Sequence, residues 1–251
     1  MKNKYTEKDI RIKYIDILDS EGEELFNKAA RIFLNIFKED YYYIKIMRKI
    51  LRRKLHPKNT IFRIMVAINK HDGKVLGAAI YRHWTDINRS TLEYLFTRLD
   101  LRGSGIGTTL YKKLKKDLKT INSGGLYFSC AGDTNLYKYE MDNKWRRINV
   151  LRVKFYEKLG ARPLKGLNYN CTLYWDRLRG TYCYPNLCFD PLRKIKKNER
   201  IRVSGNLVKE IIRRVMKTYY GIKSSNYKVR QILKSIKTQK LEWREARYTN
   251  A

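Results

Sequence analysis

The chain has 251 residues, and its 56 Lys and Arg against 24 Asp and Glu give a formal net charge of +32. Hydrophobic residues make up 43%, so the chain can bury a sizeable core and is not disordered throughout. No run approaches the ~18 apolar residues of a membrane span, residues 1–8 lack the apolar stretch of a secretory signal, and four cysteines do not make a disulfide scaffold. We therefore expect a cytoplasmic, very basic protein with no membrane partner.

The first part of the chain predicts one strand and two helices. Residues 10–17 alternate well enough for a strand. Ser20 lies three residues before Glu23, a capping-box pattern that opens an amphipathic helix reaching Phe37. A second apolar pattern at helical spacing covers residues 43–55 and stops before a proline.

Three strands and a helix are predicted next. Residues 61–69 and 75–82 are expected to form a hairpin, because the turn residues His-Asp-Gly-Lys separate them. Residues 92–97 form a further strand. It leads through a glycine-rich segment into a helix over about residues 108–118.

The glycine-rich segment is Arg102-Gly103-Ser104-Gly105-Ile106-Gly107. Its glycines let the backbone turn N–H groups inward with no Cβ in the way. The N-terminus of the following helix adds the positive end of its dipole, so a pyrophosphate group fits there. A Rossmann fold would need an acidic residue after a second strand and a Walker loop would need Gly-Lys-Ser/Thr, and neither is present.

The second half of the chain predicts the rest of the sheet and a basic extension. Residues 126–130, 171–175 and 186–189 are expected to be strands, and a helix over 149–159 ends at Gly160. The composition changes after residue 190: residues 191–251 hold 18 Lys and Arg and 4 Asp and Glu, a net charge of +14. We predict a main domain over residues 1–190 and a helical extension over 191–251, with one helix opened by Ser204 and another by Asn226.

A second motif follows the glycine-rich segment: Asn149 and then Phe155-Tyr156-Glu157-Lys158-Leu159-Gly160. The two motifs in this order resemble the GNAT family of acetyl-CoA-dependent N-acyltransferases over about residues 8–190. The resemblance implies an α/β (α+β) fold with a mixed, mostly antiparallel central sheet flanked by helices, here with the basic C-terminal helical extension. A narrower likeness, to GNAT modules fused to histone-deacetylase-like domains, rests on three segments taken together: Tyr-Phe-Ser-Cys at 127–130, Phe-Tyr-Glu-Lys-Leu-Gly-Ala-Arg-Pro at 155–163, and Cys-Phe-Asp-Pro-Leu at 188–192 before a basic helix.

The resemblance also implies roles for particular residues. Backbone N–H groups of the glycine loop would hold the CoA pyrophosphate, main-chain groups at the end of the preceding strand would pair with the pantetheine arm, and Asn149 would orient that arm. Tyr156 would protonate the leaving CoA thiolate, although it is also one of 20 tyrosines that can pack against the sheet. The implied acetyl-CoA-binding residues are Phe96, Thr97, Arg102, Gly103, Ser104, Gly105, Ile106, Gly107, Thr108 and Asn149.

The catalytic base has several candidates. Strand alternation places Glu93 on one face with Thr91, Leu95 and Thr97, and many GNAT proteins use an acid on this strand. A lone glutamate can instead be paired with one of the many basic residues. His83 and Asp86, just past the preceding strand, are the fallback.

The predicted function is an acetyl-CoA-dependent N-acetyltransferase that transfers the acetyl group directly to a primary amine. The alternative is a GNAT-fold module that binds nucleic acid or the ribosome and has an idle or regulatory CoA site. The cysteines and histidines lack metal-ligand spacing, so no metal is expected. Because the charge of +32 attracts polyanions, we expect a macromolecular, polyanion-associated acceptor that is drawn in by residues 191–251, including Arg213 and Arg214, and by Lys144-Trp145-Arg146-Arg147.

Overall fold

The computed structural model describes residues 5–52, 59–130, 143–167, 169, 186–196, 199–237 and 239–243. Of Glu39, residues 143–149 and Tyr220 it describes the backbone alone. The chain divides into two compact units, residues 1–125 and 126–251. The predicted domain boundary at residue 190 rests on composition and stays a prediction.

The first unit contains a four-stranded antiparallel sheet whose strands lie in chain order. A hairpin joins its second and third strands at Asn69 and Val75, as the turn residues predict. The elements are β1 (Ile10–Ile15), α1 (Ser20–Ile36), α2 (Tyr41–Leu51), β2 (Thr60–Asn69), β3 (Val75–Trp84), β4 (Arg89–Thr97) and α3 (Ile106–Thr120).

The helices of the first unit cover both faces of its sheet. Phe33 of α1 and Met47 of α2 belong to one buried apolar cluster with Ile15 of β1. Neighbouring residues of a strand point to opposite faces, and the hydroxyl of Tyr14 donates a hydrogen bond to Asp117 of α3 over 2.5 Å. Helix α3 therefore packs against the face that α1 and α2 leave uncovered.

The start of α1 corrects the predicted capping box. Asp19 is the N-cap, and its side chain accepts a hydrogen bond from the backbone N–H of Gly22 over 2.7 Å. Ser20 is instead the first residue of the helix. Asp and Ser are comparable N-caps, and the negative charge of Asp is favourable at the positive end of the helix dipole.

The second unit has a five-stranded sheet in which all the paired strands are antiparallel. Its strand order is β5-β7-β6-β9-β8. The elements are β5 (Leu126–Cys130), α4 (Asn143–Lys158), β6 (Arg162–Lys165), β7 (Asn186–Asp190), β8 (Arg202–Ser204), α5 (Gly205–Tyr220), α6 (Tyr227–Ser235) and β9 (Lys240–Trp243).

The two helices predicted after residue 190 are confirmed. Ser204 caps α5 by accepting from the N–H of Leu207, and Asn226 caps α6 by accepting from the N–H of Lys228. The extension is more than helical, because it also supplies β8 and β9 to the sheet. The strand predicted over 171–175 lies outside the described residues. None of the helices in the described ranges is long and apolar enough to cross a membrane.

Candidate functional site

The predicted site residues fall in both units. The glycine-rich segment, Glu93 and the end of β4 belong to the first unit, whereas Asn149 and Tyr156 belong to the second. Asn149 lies in α4. The side chains of Asn149 and of Lys144-Trp145-Arg146-Arg147 are outside the described part of the structure.

The loop between β4 and α3 depends on two glycines with left-handed backbone conformations. Gly103 has φ +83° and Gly105, the N-cap residue of α3, has φ +97°. A Cβ on Gly105 would lie 2.8 Å from the carbonyl oxygen of Tyr5. Gly105 is therefore required both for its conformation and for the close approach of the N-terminal segment.

The first turn of α3 has backbone N–H groups that make no intrahelical hydrogen bond. The first hydrogen bond of the helix runs from the N–H of Thr109 to the carbonyl of Gly105 over 3.0 Å, so the amides of residues 106–108 precede it. The hydroxyl of Ser104 donates to the carbonyl of Leu101 over 2.6 Å and does not cap the helix. Ile106 buries its side chain. This turn can therefore offer main-chain donors to an anion.

At the end of β4, Phe96 keeps its side chain in the core. The ring of Phe96 is buried, with its centroid 5.6 Å from that of Phe33. Phe96 and Thr97 lie opposite Ala78 and Gly77 of β3. A Cβ on Gly77 would lie 2.3 Å from the carbonyl oxygen of Phe96, so this glycine permits the close approach of the two strands.

Glu93 is one half of a buried ion pair. The Nε of Arg82 on β3 donates to Glu93 Oε1 over 3.0 Å, and the two side chains are 0% and 1% exposed. The Arg82 guanidinium also lies over the rings of Phe62, at 4.9 Å, and Trp84, at 5.6 Å. The structure therefore shows Glu93 paired with a basic residue, one of the two alternatives that the sequence left open. A catalytic role of Glu93 stays a prediction.

A β-bulge overturns the predicted grouping of residues on β4. Tyr94 lies opposite Ile80, and Leu92 lies opposite Tyr81, so Glu93 has no partner in the register. Such an extra residue breaks the two-residue alternation of a strand. Strict alternation predicted that Glu93 shares a face with Leu95 and Thr97. Because of the bulge, it does not.

The fallback base His83 is buried in a hydrogen-bonded chain. Its Nδ1 lies 3.1 Å from the hydroxyl of Ser90, which lies 2.9 Å from the hydroxyl of Ser123. Burial lowers the pKa of His83 below its ordinary value of 6.5. Asp86, by contrast, is exposed in the turn that follows β3.

Tyr156 packs its ring against the sheet of the second unit. Its centroid lies 4.4 Å from that of Phe128 on β5 and 5.0 Å from that of Phe155. Burial raises the pKa of Tyr156 above its ordinary value of 10, with Cys130 adding to the increase and Arg152 opposing it. The hydroxyl therefore stays protonated at neutral pH, which is the form that a general acid needs, while burial weakens it as an acid.

Comparisons with known proteins show which family the chain resembles. Residues 23–141 match the model of the acetyltransferase (GNAT) family. The matched segment, residues 23–141, is similar to GNAT acetyltransferase domains. A solved structure assigned to the GNAT acetyltransferases, from Bacteroides thetaiotaomicron, has the same fold: it aligns over 85% of this chain and 99% of its own, with 16% identity and a TM-score of 0.53.

Other GNAT structures are similar at lower scores. The ribosomal-protein-S18-alanine N-acetyltransferase of Escherichia coli aligns over 76% of this chain and 98% of its own, with 16% identity and a TM-score of 0.46. The catalytic domain of Tetrahymena GCN5 histone acetyltransferase, in complex with coenzyme A, aligns over 75% and 96%, with 15% identity and a TM-score of 0.45. No curated protein sequence matched the chain.

Sequence reasoning missed two neighbours of the predicted site residues. Arg82 was not singled out, although a charged residue within the apolar run of β3 is a signal for a buried partner. Cys188 lies opposite Phe128 in the sheet and contributes to the raised pKa of Tyr156, and the sequence carries no signal for that pairing. Within the described residues no cluster of three or more His, Cys, Asp or Glu could hold a metal ion.

Proposed function

We propose that the protein is an acetyl-CoA-dependent N-acetyltransferase that transfers the acetyl group directly to a primary amine. One observation supports this beyond the family match: α3 begins at a left-handed Gly105 without a side-chain cap. Helices usually satisfy their first amides with Ser, Thr, Asp or Asn. A GNAT domain in which these amides face an anion is suited to bind the pyrophosphate of CoA.

The residues of the loop fit such a ligand. A Cβ added at Gly103 would meet nothing within 4 Å, so the space beside the loop is open. Arg102 is exposed at the entrance to the loop and can brace it or face a phosphate. The main chain of Phe96 and Thr97 would pair with the amide-containing pantetheine arm, as a further strand would.

Acetyl-CoA supplies the acetyl group as a thioester. The protein would assist two proton transfers, one to the leaving sulfur and one from the amine. In the proposed reaction the bond from the amine nitrogen to the acetyl carbon forms and the carbon–sulfur bond breaks. Tyr156 donates its hydroxyl proton toward the sulfur, and a base accepts the proton that the amine loses. Glu93 is the proposed base and would act through water. In the structure its carboxylate lies in the sheet and accepts a hydrogen bond from Arg82.

The acceptor is proposed to be an amine on a polyanion-associated macromolecule. The support is electrostatic: a chain with a charge of +32 repels free polycations and attracts molecules that carry phosphate groups. The second candidate function, a nucleic-acid-binding module with an idle CoA site, is favoured by the strongly basic segment between residues 211 and 241. The two functions differ in whether acetyl transfer occurs at all.

The decisive experiment joins ligand binding with turnover. Acetyl-CoA should raise the melting temperature of the wild-type protein by mass action. Gly105→Glu places a carboxylate at the start of α3 and should abolish this shift. The matched control is Gly73→Glu, which adds the same charge at another left-handed glycine, in the β2–β3 turn, where a Cβ meets nothing within 4 Å.

Turnover is measured as a mass increase of one acetyl group in a panel of amine acceptors. Wild-type protein and Gly73→Glu should acetylate the same acceptor, and Gly105→Glu should not. If acetyl-CoA binds and no acceptor is modified, including protein and RNA-linked amines, the module without acetyl transfer is the better description. An unchanged thermal shift in Gly105→Glu would refute the proposed CoA site itself.

A further inference from the structure

Helices α5 and α6 carry a long basic stretch of the sequence that contains no acid. From residue 211 to residue 241 the sequence contains nine Lys and Arg and no Asp or Glu. The cations are Arg213, Arg214, Lys217, Lys223, Lys228, Arg230, Lys234, Lys237 and Lys240. A segment without any acid differs from an ordinary solvated surface, on which both signs are mixed.

The carboxylates that flank this segment are already paired with arginines. Glu210 holds the Nε of Arg214 at 2.7 Å, and Glu242 holds the Nε of Arg202 at 2.8 Å. The pKa of Glu242 is lowered by its hydrogen bond with Arg202. Glu210 therefore offsets part of the charge of Arg213 and Arg214 in α5, whereas the carboxylate of Glu242 is engaged by Arg202.

Helix α6 turns its apolar side inward and its basic side outward. Val229, Ile232 and Ile236 are buried. On the opposite side, residues at successive helical turns share one exposed face. That face, called here the α6 outer face, consists of Tyr227, Arg230, Gln231 and Lys234.

The chemistry of the α6 outer face is that of a surface which contacts nucleic acid. Within the described residues, Arg230 and Lys234 form no ion pair. Gln231 Nε2 donates to the hydroxyl of Tyr227 over 2.5 Å, which holds the two side chains together. Arg and Gln pair bidentately with the edges of guanine and adenine, and Lys binds phosphate as a point charge.

The turn before α6 fixes its position relative to α5. Gly221, with φ +64°, ends α5 and donates to the carbonyl of Lys217 over 3.1 Å. The carbonyl of Lys223 then accepts from the N–H of Asn226 over 3.0 Å, and the side chain of Asn226 caps α6. A short outer helix held by caps and a buried apolar side is a rigid element, and rigid elements bind with little loss of entropy.

We propose that the α6 outer face binds double-stranded DNA, with α6 in the major groove and the flanking lysines against the phosphates. The major groove of B-DNA is wide enough for a helix, whereas that of A-form RNA is too narrow. Binding of single strands relies on several stacking aromatics, and Tyr227 is the one aromatic residue of this face. The inference does not depend on acetyl transfer.

The test is fluorescence anisotropy of the full-length protein with a labelled DNA duplex of about 20 base pairs, two helical turns, titrated at several salt concentrations. The double variant Arg230→Gln/Lys234→Gln removes two charges from the α6 outer face. The matched control, Lys112→Gln/Lys116→Gln, removes two exposed charges from α3 in the first unit. Thermal melting with and without acetyl-CoA verifies that both variants are folded and tests the CoA site separately.

We expect the α6 variant to raise the Kd for duplex DNA about tenfold or more and to lower the salt slope by about two. The α3 control should change either quantity by much less. Equal losses in both variants would overturn the proposal, because binding would then follow bulk charge. Tighter binding of an RNA duplex or of a single strand of the same length would overturn it as well.

Discussion

Arg82 and Glu93 form a buried ion pair between neighbouring strands of the first unit, and the bulge in β4 places Glu93 within reach of Arg82. Removing one partner of such a pair leaves the other charge buried without compensation, which typically costs 3–5 kcal/mol. Glu93→Gln should therefore lower the free energy of unfolding by about 3 kcal/mol in urea titrations. The double variant Arg82→Met/Glu93→Leu should recover much of that loss, and a double variant that loses the sum of both single changes would contradict the pairing.

The same residue can be tested as a base by its pH profile. If Glu93 accepts the amine proton, Glu93→Gln should lower kcat most at acidic pH, where the amine is most protonated. A purely structural role predicts a uniform loss with an unchanged profile. The measurement is kcat against pH, well below the melting temperature of the variant.

Tyr156→Phe removes a hydroxyl and keeps the ring that packs on Phe128 and Phe155. The fold should persist, kcat should fall by roughly 10²–10⁴-fold, and the thermal shift by acetyl-CoA should stay the same. The control is Tyr14→Phe, which removes the hydrogen bond between Tyr14 and Asp117 within the first unit and should keep kcat. Full activity of Tyr156→Phe would mean that water or another group protonates the thiolate.

His83 should make stability depend on pH. Because burial lowers its pKa in the native protein, the unfolded chain binds a proton that the native state does not. The associated stability is complete above 6.5, the ordinary pKa, and is lost as the pH falls below it. In urea titrations between neutral pH and about pH 5, His83→Gln should show a shallower loss than the wild-type protein, by up to about 1.4 kcal/mol per pH unit. Parallel curves would exclude this role of His83.

Substitutions at three glycines with positive φ can distinguish a steric clash of the new Cβ from the cost of a left-handed backbone conformation. Gly105→Ala should destabilise the protein more than Gly103→Ala or Gly73→Ala, because only Gly105 would place its Cβ 2.8 Å from the carbonyl of Tyr5. The other two substitutions cost only the left-handed strain, about 1 kcal/mol. Melting temperatures of the three variants provide the comparison, and equal losses would contradict the close approach.

The elements with strong local signals were predictable. Residues 126–130 form β5 as expected, since an apolar run follows two glycines, and the caps Ser204 and Asn226 open their helices. By contrast, β6 contains Pro163 and has no alternation, so it carries no strand signal. Its existence depends on pairing with β7 and β9.

The glycine loop was predictable from sequence, whereas the surroundings of the catalytic candidates were not. Left-handed Gly103 and Gly105 follow from the motif itself. The bulge at Glu93 contains no glycine that would have predicted it from the sequence. The bulge nevertheless determines that the Glu93 carboxylate pairs with Arg82. A register shift of this kind is set by packing between strands that are distant in sequence, which local patterns do not record.

The strand β9 has a consequence for the order in which the protein can form on the ribosome. Trp243 pairs with Leu164 of β6, its indole N–H donates to the carbonyl of Phe189 over 3.2 Å, and Arg162 lies over its ring. Until residues 240–243 have been translated, β6 keeps an unpaired edge and β8 has no partner, a state prone to wrong pairing. The first unit has all four of its strands by residue 97. The sheet of the first unit can therefore form early in synthesis, whereas the sheet of the second unit can be completed only after Trp243 has been translated.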